Sequence, residues 1–250
     1  MSQWPLRTER DGAVHTITLA SPHNRNALSR TLLSALLSTL DTVADDDDVR
    51  VVVLRAEGPA FCAGADLAEA ASADAATQTE TARRILTLLR AVVALPVPVI
   101  AAVHGAVRAG GVGLVAACDE AIAAADATFV LSEVRLGLAP AIVSTVVLPR
   151  LTDRDAARLL LGGETFDGAH AADVGLVTMA VEPGEHGAAA ARIAEQLAAT
   201  PRQALSATKH VLTRSLVARI DRDGPEMTAL SSRLFQSDVA QARMRRHRTR

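Results

Sequence analysis

Two nearly continuous runs of β-branched and small apolar residues constrain this chain most. Val49 to Arg55 and Val97 to Val103 barely alternate, so each is expected to be a strand buried on both faces. Each leads within a few residues into a loop built of glycine and alanine. After the first comes Cys62-Ala63-Gly64-Ala65-Asp66; after the second comes Arg108-Ala109-Gly110-Gly111-Val112-Gly113. Where a strand end passes into a helix start, backbone N–H groups are left unpaired. Small side chains let a ligand reach them. Gly110 also falls at the start of an expected helix, where the dipole favours negative charge. Two such groups, one from each loop, aimed at one carbonyl oxygen would form an oxyanion hole. Losing one donor of such a pair typically costs about 10²–10³ in rate.

The rest of the chain supplies an α/β frame. Val14 to Leu19 alternates and reads as a half-buried strand, and Ser29 caps an amphipathic helix running to about Val43. Ala70 to Thr81 is weakly patterned and is expected to be a mobile stretch or a plain surface helix. A helix to about Leu95 precedes the second apolar strand, and Leu114 to Cys118 is an apolar helix. Ile122 to Ala125 and Thr128 to Leu131 are strand-like and end at Ser132-Glu133. Helices dominate from Asp153, with one strand near Leu176 to Val181. From Pro201 the chain is helical and ends in an Arg-rich segment, read as a solvated frayed helix or an interaction tail. Strand and helix repeat with short connections, which predicts an α/β core over residues 1–195 and a helical region over 196–250.

Composition removes several function classes. Aromatics are 2% of 250 residues and tyrosine is absent, so there are no stacking platforms for single-stranded nucleic acid. A net charge of −2 gives no electrostatic reason to bind DNA or an anionic membrane. No apolar run reaches the ~18 residues of a membrane span, and the N-terminus has no basic-then-apolar leader, so a soluble cytoplasmic protein is expected. Cys62 and Cys118 lack metal spacing and read as small buried apolar residues. Asp45 to Asp48 reads as a solvated turn, because four adjacent carboxylates cannot converge on one ion. His104, beside Gly105, is expected to be a packed or turn histidine.

Gly110-Gly111-x-Gly113 superficially resembles a dinucleotide loop, but the G-x-G-x-x-G spacing is wrong and Asp119 follows too soon. G-x-S-x-G, H-E-x-x-H and P-loop patterns are absent. Glu133 stands alone among apolar residues just past a strand. Alone it reads first as a carboxylate at a helix start and second as an acid/base.

Pro59-Ala60-Phe61-Cys62-Ala63-Gly64-Ala65-Asp66-Leu67 resembles the first signature loop of the crotonase family, the enoyl-CoA hydratases and isomerases. Ala102-Val103-His104-Gly105, Gly110-Gly111-x-Gly113-Leu114 and Ala117-Cys118-Asp119 resemble its second signature at matching spacing. Asn26-Ala27-Leu28, Val134 to Pro140 and Leu148-Pro149-Arg150-Leu151 extend the likeness over about residues 6–240. The resemblance implies a crotonase-like spiral of ββα units with C-terminal helices that form a homotrimer or a dimer of trimers. It implies an acyl-CoA thioester as partner, with coenzyme A as part of the substrate and no separate cofactor. The thioester oxygen would lie on the Ala65 and Gly110 N–H groups. Backbone around Ala63, Asp66 and Leu67 would meet the adenine end, and Arg25, beside Ala27, the phosphates.

Two departures from the family pattern stand out. Typical hydratases hold the attacking water between two glutamates. Glu133 stands at the second position, while Gly113 stands at the first and is expected to line the substrate site. Gln241-Ala242 and the Met244 to Arg250 ending also differ from the usual terminus. A single carboxylate can run either of two chemistries. The preferred reading is water addition to a 2-enoyl-CoA, with methylglutaconyl-type substrates suggested by the Ser132 to Leu138 segment. The alternatives are a 3,2-enoyl-CoA isomerase and a non-catalytic acyl-CoA binder. Arg108, two residues before Gly110, is expected in a structural ion pair, as a helix-flank charge, or against a carboxylate or polar group of the acyl chain.

Overall fold

The computed structural model describes residues 4–248, with side chains as far as Met244. Its strands are β1 (Leu6–Asp11), β2 (Val14–Leu19), β3 (Val51–Ala56), β4 (Ala60–Cys62), β5 (Val99–Val103), β6 (Ala106–Arg108), β7 (Glu120–Ala124), β8 (Thr128–Val130), β9 (Phe166–Asp167) and β10 (Met179–Val181). Its helices are α1 (Arg30–Asp45), α2 (Leu67–Ser72), α3 (Ala75–Ala94), α4 (Gly110–Ala117), α5 (Ala141–Val147), α6 (Asp153–Gly162), α7 (Gly168–Asp173), α8 (His186–Ala198), α9 (Arg202–Phe235) and α10 (Asp238–Arg248).

The chain winds as a spiral. Three successive turns each lay one strand in a large sheet, turn a corner, lay a short strand in a small sheet and leave through a helix. The pairs are β3–β4, β5–β6 and β7–β8. The large sheet has the order β1-β2-β3-β5-β7-β10, and the small one β4-β6-β8-β9. All pairings are parallel except the β1–β2 hairpin and β8–β9. The valine-rich runs are apolar on both faces for a visible reason. Val52 and Leu54 pack toward the main core, whereas Val51 and Val53 join Ile100, Ala102 and Ile122 under Ala189, Ala190 and Ala194 of α8.

The stretch expected to be mobile or a plain surface helix is helical on either side of Ala73-Asp74. Asp66 caps α2 through Oδ1, which accepts from the Ala68 and Glu69 N–H groups, and Asp74 caps α3 by accepting from Thr77. The low apolar content of residues 70–81 reflects a solvated face, not the lack of a helix. Ser29 caps α1, accepting from Leu32 N–H. The helix expected at Leu114 begins four residues earlier, at Gly110. Cys62 and Cys118 are buried free thiols, each pushed by desolvation up to about 12. His104 is a turn histidine, its Nε2 2.8 Å from the Gly58 carbonyl. No described helix is long and apolar enough to cross a membrane.

α9 is 34 residues long and docks on the core through a buried cation. Lys209 Nζ lies 2.7 Å from Asp119 Oδ2 and donates to the Val92 and Val97 carbonyls at 3.0 Å each. α10 folds back, and Ala240 and Met244 cluster with Leu138 beside Leu67 and Leu136. The Arg-rich ending lies largely outside the described side chains.

Candidate active site

Three chemical groups emerge from one edge of the small sheet. β4, β6 and β8 run parallel, with Cys62 opposite Val107 and Arg108 opposite Val130. Ala65 lies three residues beyond β4, Gly110 two beyond β6 and Glu133 three beyond β8. All three therefore gather at the carboxyl ends of parallel strands, where α/β sheets place their ligand crevices.

The two N–H groups are brought together by a missing side chain. Gly64 has φ +81, and a Cβ there would stand 2.7 Å from the Arg108 carbonyl oxygen and 3.0 Å from the Gly110 nitrogen. A Cβ on Gly110 would in turn lie 3.6 Å from the Ala65 nitrogen. The donors are thus side by side, and neither gives a hydrogen bond to any described residue. Gly110 is the first residue of α4, so its N–H carries the positive end of that helix. Its direction is set by Ala109, whose φ 46, ψ −112 is strained for a residue with a Cβ and costs about 1–3 kcal/mol. The Ala109 N–H, held at 2.9 Å on the Val130 carbonyl, over-determines that conformation and links the helix to the strand leading to Glu133.

Asn26, fully buried, holds the opposite wall. Its Oδ1 accepts from Ser21 N–H at 2.8 Å, and its Nδ2 donates to the Glu57 and Ala60 carbonyls at 2.9 Å each. Arg25 and Asn26 both have positive φ, and the loop they make is zipped to the first glycine loop. Ala63 N–H donates to the Arg25 carbonyl at 3.0 Å, and Leu28 N–H donates to the Gly64 carbonyl at 2.7 Å.

Glu133 opens a single 3₁₀ turn, Glu133–Leu136, closed by Gly137 in the left-handed region. Its Oε2 is buried with no hydrogen-bond partner among the described residues. Desolvation raises its carboxyl from an ordinary 4.5 to about 7, against a smaller opposing pull from its own backbone N–H. A carboxyl poised there takes and returns a proton at neutral pH.

A groove of about 1030 Å³ joins these parts. Arg25, Ala27, Ala63, Ala65, Asp66, Leu67, Arg108, Gly110 and Glu133 all line it. Gly113 does not. Its open face meets α5, where a Cβ would sit 2.7 Å from Val143 Cγ1 and 3.4 Å from Leu89 Cδ1. The expectation that Gly113 contacts substrate is therefore corrected: Val143 fills the place a side chain at 113 would need and itself lines the groove.

Arg108 lines the groove and forms no ion pair among the described residues. Nη1 donates to the Thr128 carbonyl at 2.6 Å and to its own strand at Val107, and Nη2 to the Thr128 hydroxyl at 3.1 Å. Partial burial lowers its pKa from the usual value, and it clamps β6 to β8. Sequence reasoning missed Arg135 and Arg243, which join Arg25 and Arg108 to give the groove a cationic surplus over Asp66 and Glu133. Arg243 comes from α10, whose ending departs from the family pattern and carries no signal for it. No cluster of three or more metal-ligating side chains occurs among the described residues.

Known proteins resemble this chain over nearly its whole length. A family profile for enoyl-CoA hydratase/isomerase matches residues 9–250. A solved enoyl-CoA hydratase from Mycobacterium avium is 42% identical and superposes with a TM-score of 0.90, covering 99% of this chain and 97% of that one. The mitochondrial methylglutaconyl-CoA hydratase of Mus musculus is 35% identical over 195 residues, which are 77% of this chain and 62% of the mouse protein. A Thermus thermophilus protein provisionally named as an enoyl-CoA hydratase is 35% identical over 88% of each chain. With the spiral of paired strands, the two converging N–H groups and the buried carboxyl all in place, the chain belongs to the enoyl-CoA hydratase/isomerase family.

Proposed function

We propose that the protein adds water across the double bond of a 2-enoyl-CoA thioester, using the Ala65 and Gly110 N–H groups and the Glu133 carboxylate. The observation that carries this reading is the orphaned, proton-poised Glu133 on the same groove as two unpaired backbone donors. The thioester oxygen accepts from both N–H groups, which draws electron density from C3. Glu133 takes a proton from water as the water oxygen bonds to C3. The π electrons move onto the thioester oxygen as an enolate, whose charge the two donors bind more tightly than the neutral carbonyl. Glu133 then returns its proton to C2. Arg25, Arg135 and Arg243 supply positive charge suited to the phosphates of coenzyme A. Backbone around Ala63, Asp66 and Leu67 forms the wall assigned to its adenine.

A second reading is transfer of a proton between C2 and C4 of a 3-enoyl thioester. One observation favours it: Val143 closes the place where a second carboxylate would help hold water. Assembly as a homotrimer or dimer of trimers belongs to the same proposal, supported by the exposed Val211 and Leu212 on α9.

The test is turnover of crotonyl-CoA and of a 3-enoyl-CoA by purified protein, followed by loss or gain of enoyl thioester absorbance, with the product identified by mass. Hydration predicts a product heavier by one water, and near-complete loss of that activity in Glu133→Gln. An isomeric product of unchanged mass establishes the second reading. Tight acyl-CoA binding without turnover of either substrate leaves only a binding protein.

A further inference from the structure

A second cavity, of about 380 Å³, opens from Ala65 between α2, α3 and α9. It shares Ala65, Ile85 and Ile142 with the groove, so an acyl chain whose thioester rests on Ala65 and Gly110 has its entry here. Leu28, Ile85 and Ile142 suit hydrocarbon. Other parts of the lining do not. Ser231 and Ser232 of α9 are 8% and 7% exposed, and Ser232 Oγ has no hydrogen-bond partner among the described residues. It makes no bond back to its own helix, the usual refuge of a helical serine.

Gln78 of α3 lines the same cavity. Its Nε2 donates to the Ala70 and Ala73 carbonyls at 3.0 and 3.3 Å, tying off the end of α2. Those two acceptors fix which way the amide faces, and they leave Oε1 buried and unpaired. Buried polar atoms nearly always have a partner. Two orphans on one cavity mark a place where the occupant supplies it.

The charge of that occupant is constrained too. Asp66, Glu69 and Asp74 line the cavity, against one cation among the described residues, Arg30, which already lies 3.7 Å from Glu69. A carboxylate on the chain would meet net negative charge and the lone pairs of Gln78 Oε1.

We infer that the substrate's acyl chain carries a neutral hydrogen-bonding group, a hydroxyl or carboxamide, that donates to Gln78 Oε1 and pairs with Ser232 Oγ. This rests on reading the groove as an acyl-thioester site. It commits the protein to functionalised acyl-CoAs over plain or carboxylated ones.

The experiment is calorimetric binding of saturated, unreactive acyl-CoA thioesters to the full chain. Matched compounds end in methyl, hydroxyl, carboxamide or carboxylate, each at several chain lengths. At the best length, the hydroxyl or carboxamide compound is expected to bind about tenfold tighter than the methyl one, as one or two added hydrogen bonds give. The carboxylate compound is expected to bind weakest. Ser232→Ala should shrink the hydroxyl-to-methyl ratio several-fold, and Ser232→Thr should keep it. A methyl compound that binds as tightly as the polar ones at every length overturns the inference, as does a ratio unmoved by Ser232→Ala. If the polar preference appears but no enoyl thioester is turned over, the inference stands and the hydratase reading falls. If no thioester of any kind binds, both fall.

Discussion

Replacing Glu133 with glutamine makes the protein more stable and less active, and the gain in stability depends on pH. Glu133 Oε2 is buried without a partner, and desolvation raises the carboxyl from 4.5 to about 7. At about 1.4 kcal/mol for each tenfold in proton affinity, the ionised form costs the fold roughly 3 kcal/mol. Below pH 4.5 the group is protonated in both folded and unfolded chains, and it costs nothing. As pH rises through 4.5 the unfolded chain releases its proton first, so the penalty grows. Above pH 7 both states are ionised and the penalty is complete. The substituted glutamine carries no charge at any pH, so the variant's advantage is close to zero at acid pH and roughly 3 kcal/mol at pH 8. For a chain of this size that amounts to about 5–10 °C in Tm. Paired melts of wild type and Glu133→Gln at pH 4.5 and 8 measure it. Activity moves the other way, with a loss of about 10²–10⁴ from removing the acid/base. Wild-type turnover itself should fall below pH 7 as Glu133 takes up its proton. An equal difference in Tm at both pH values, or a less stable variant at pH 8, would refute the claim that this carboxyl sits desolvated.

Gly64→Ala is expected to fold with a loss of about 1–3 kcal/mol from its positive φ. It should also lose activity by about 10² or more as the new methyl pushes the Gly110 nitrogen away; chemical denaturation and turnover check the two effects. Gly113→Glu should destabilise by overpacking against Val143, by about 1–3 kcal/mol in a denaturant titration. Adding Val143→Ala makes room, and the double variant should hydrate enoyl thioesters faster than Gly113→Glu alone. Asn26→Ala strips partners from three backbone groups, two of them buried, and should cost about 2–4 kcal/mol. Its activity should fall with the collapse of the wall holding Arg25 and Ala63.

What the sequence disclosed follows from which features are local. The apolar runs of β3 and β5 announce themselves because parallel strands buried on both faces cannot alternate. The two glycine loops are legible because unpaired N–H groups at strand–helix junctions need small residues around them. β4, β6 and β9 are two or three residues long, too short for any periodic pattern, and they exist only because neighbouring turns of the spiral stack. Residues 70–81 look weakly ordered because their helical signal lies in caps, Asp66 and Asp74, rather than in apolar spacing. Gly113 is misjudged from sequence for a different reason. A missing side chain reads as open space, but Val143, thirty residues on, fills it. Ser231, Ser232 and Gln78 carry no signal as sequence, since serine and glutamine in amphipathic helices are ordinarily solvated. Only the fold turns them inward.

The proposed chemistry stands on the Ala65 and Gly110 N–H groups holding the thioester oxygen. Its most direct test is the infrared frequency of that carbonyl, isotopically labelled, in crotonyl-CoA bound to the Glu133→Gln protein, where turnover is suppressed. Two hydrogen bonds to the oxygen predict a clear shift of the stretch to lower frequency on binding, removed when Gly64→Ala is added. A bound thioester whose carbonyl vibrates as it does free in water would contradict the account.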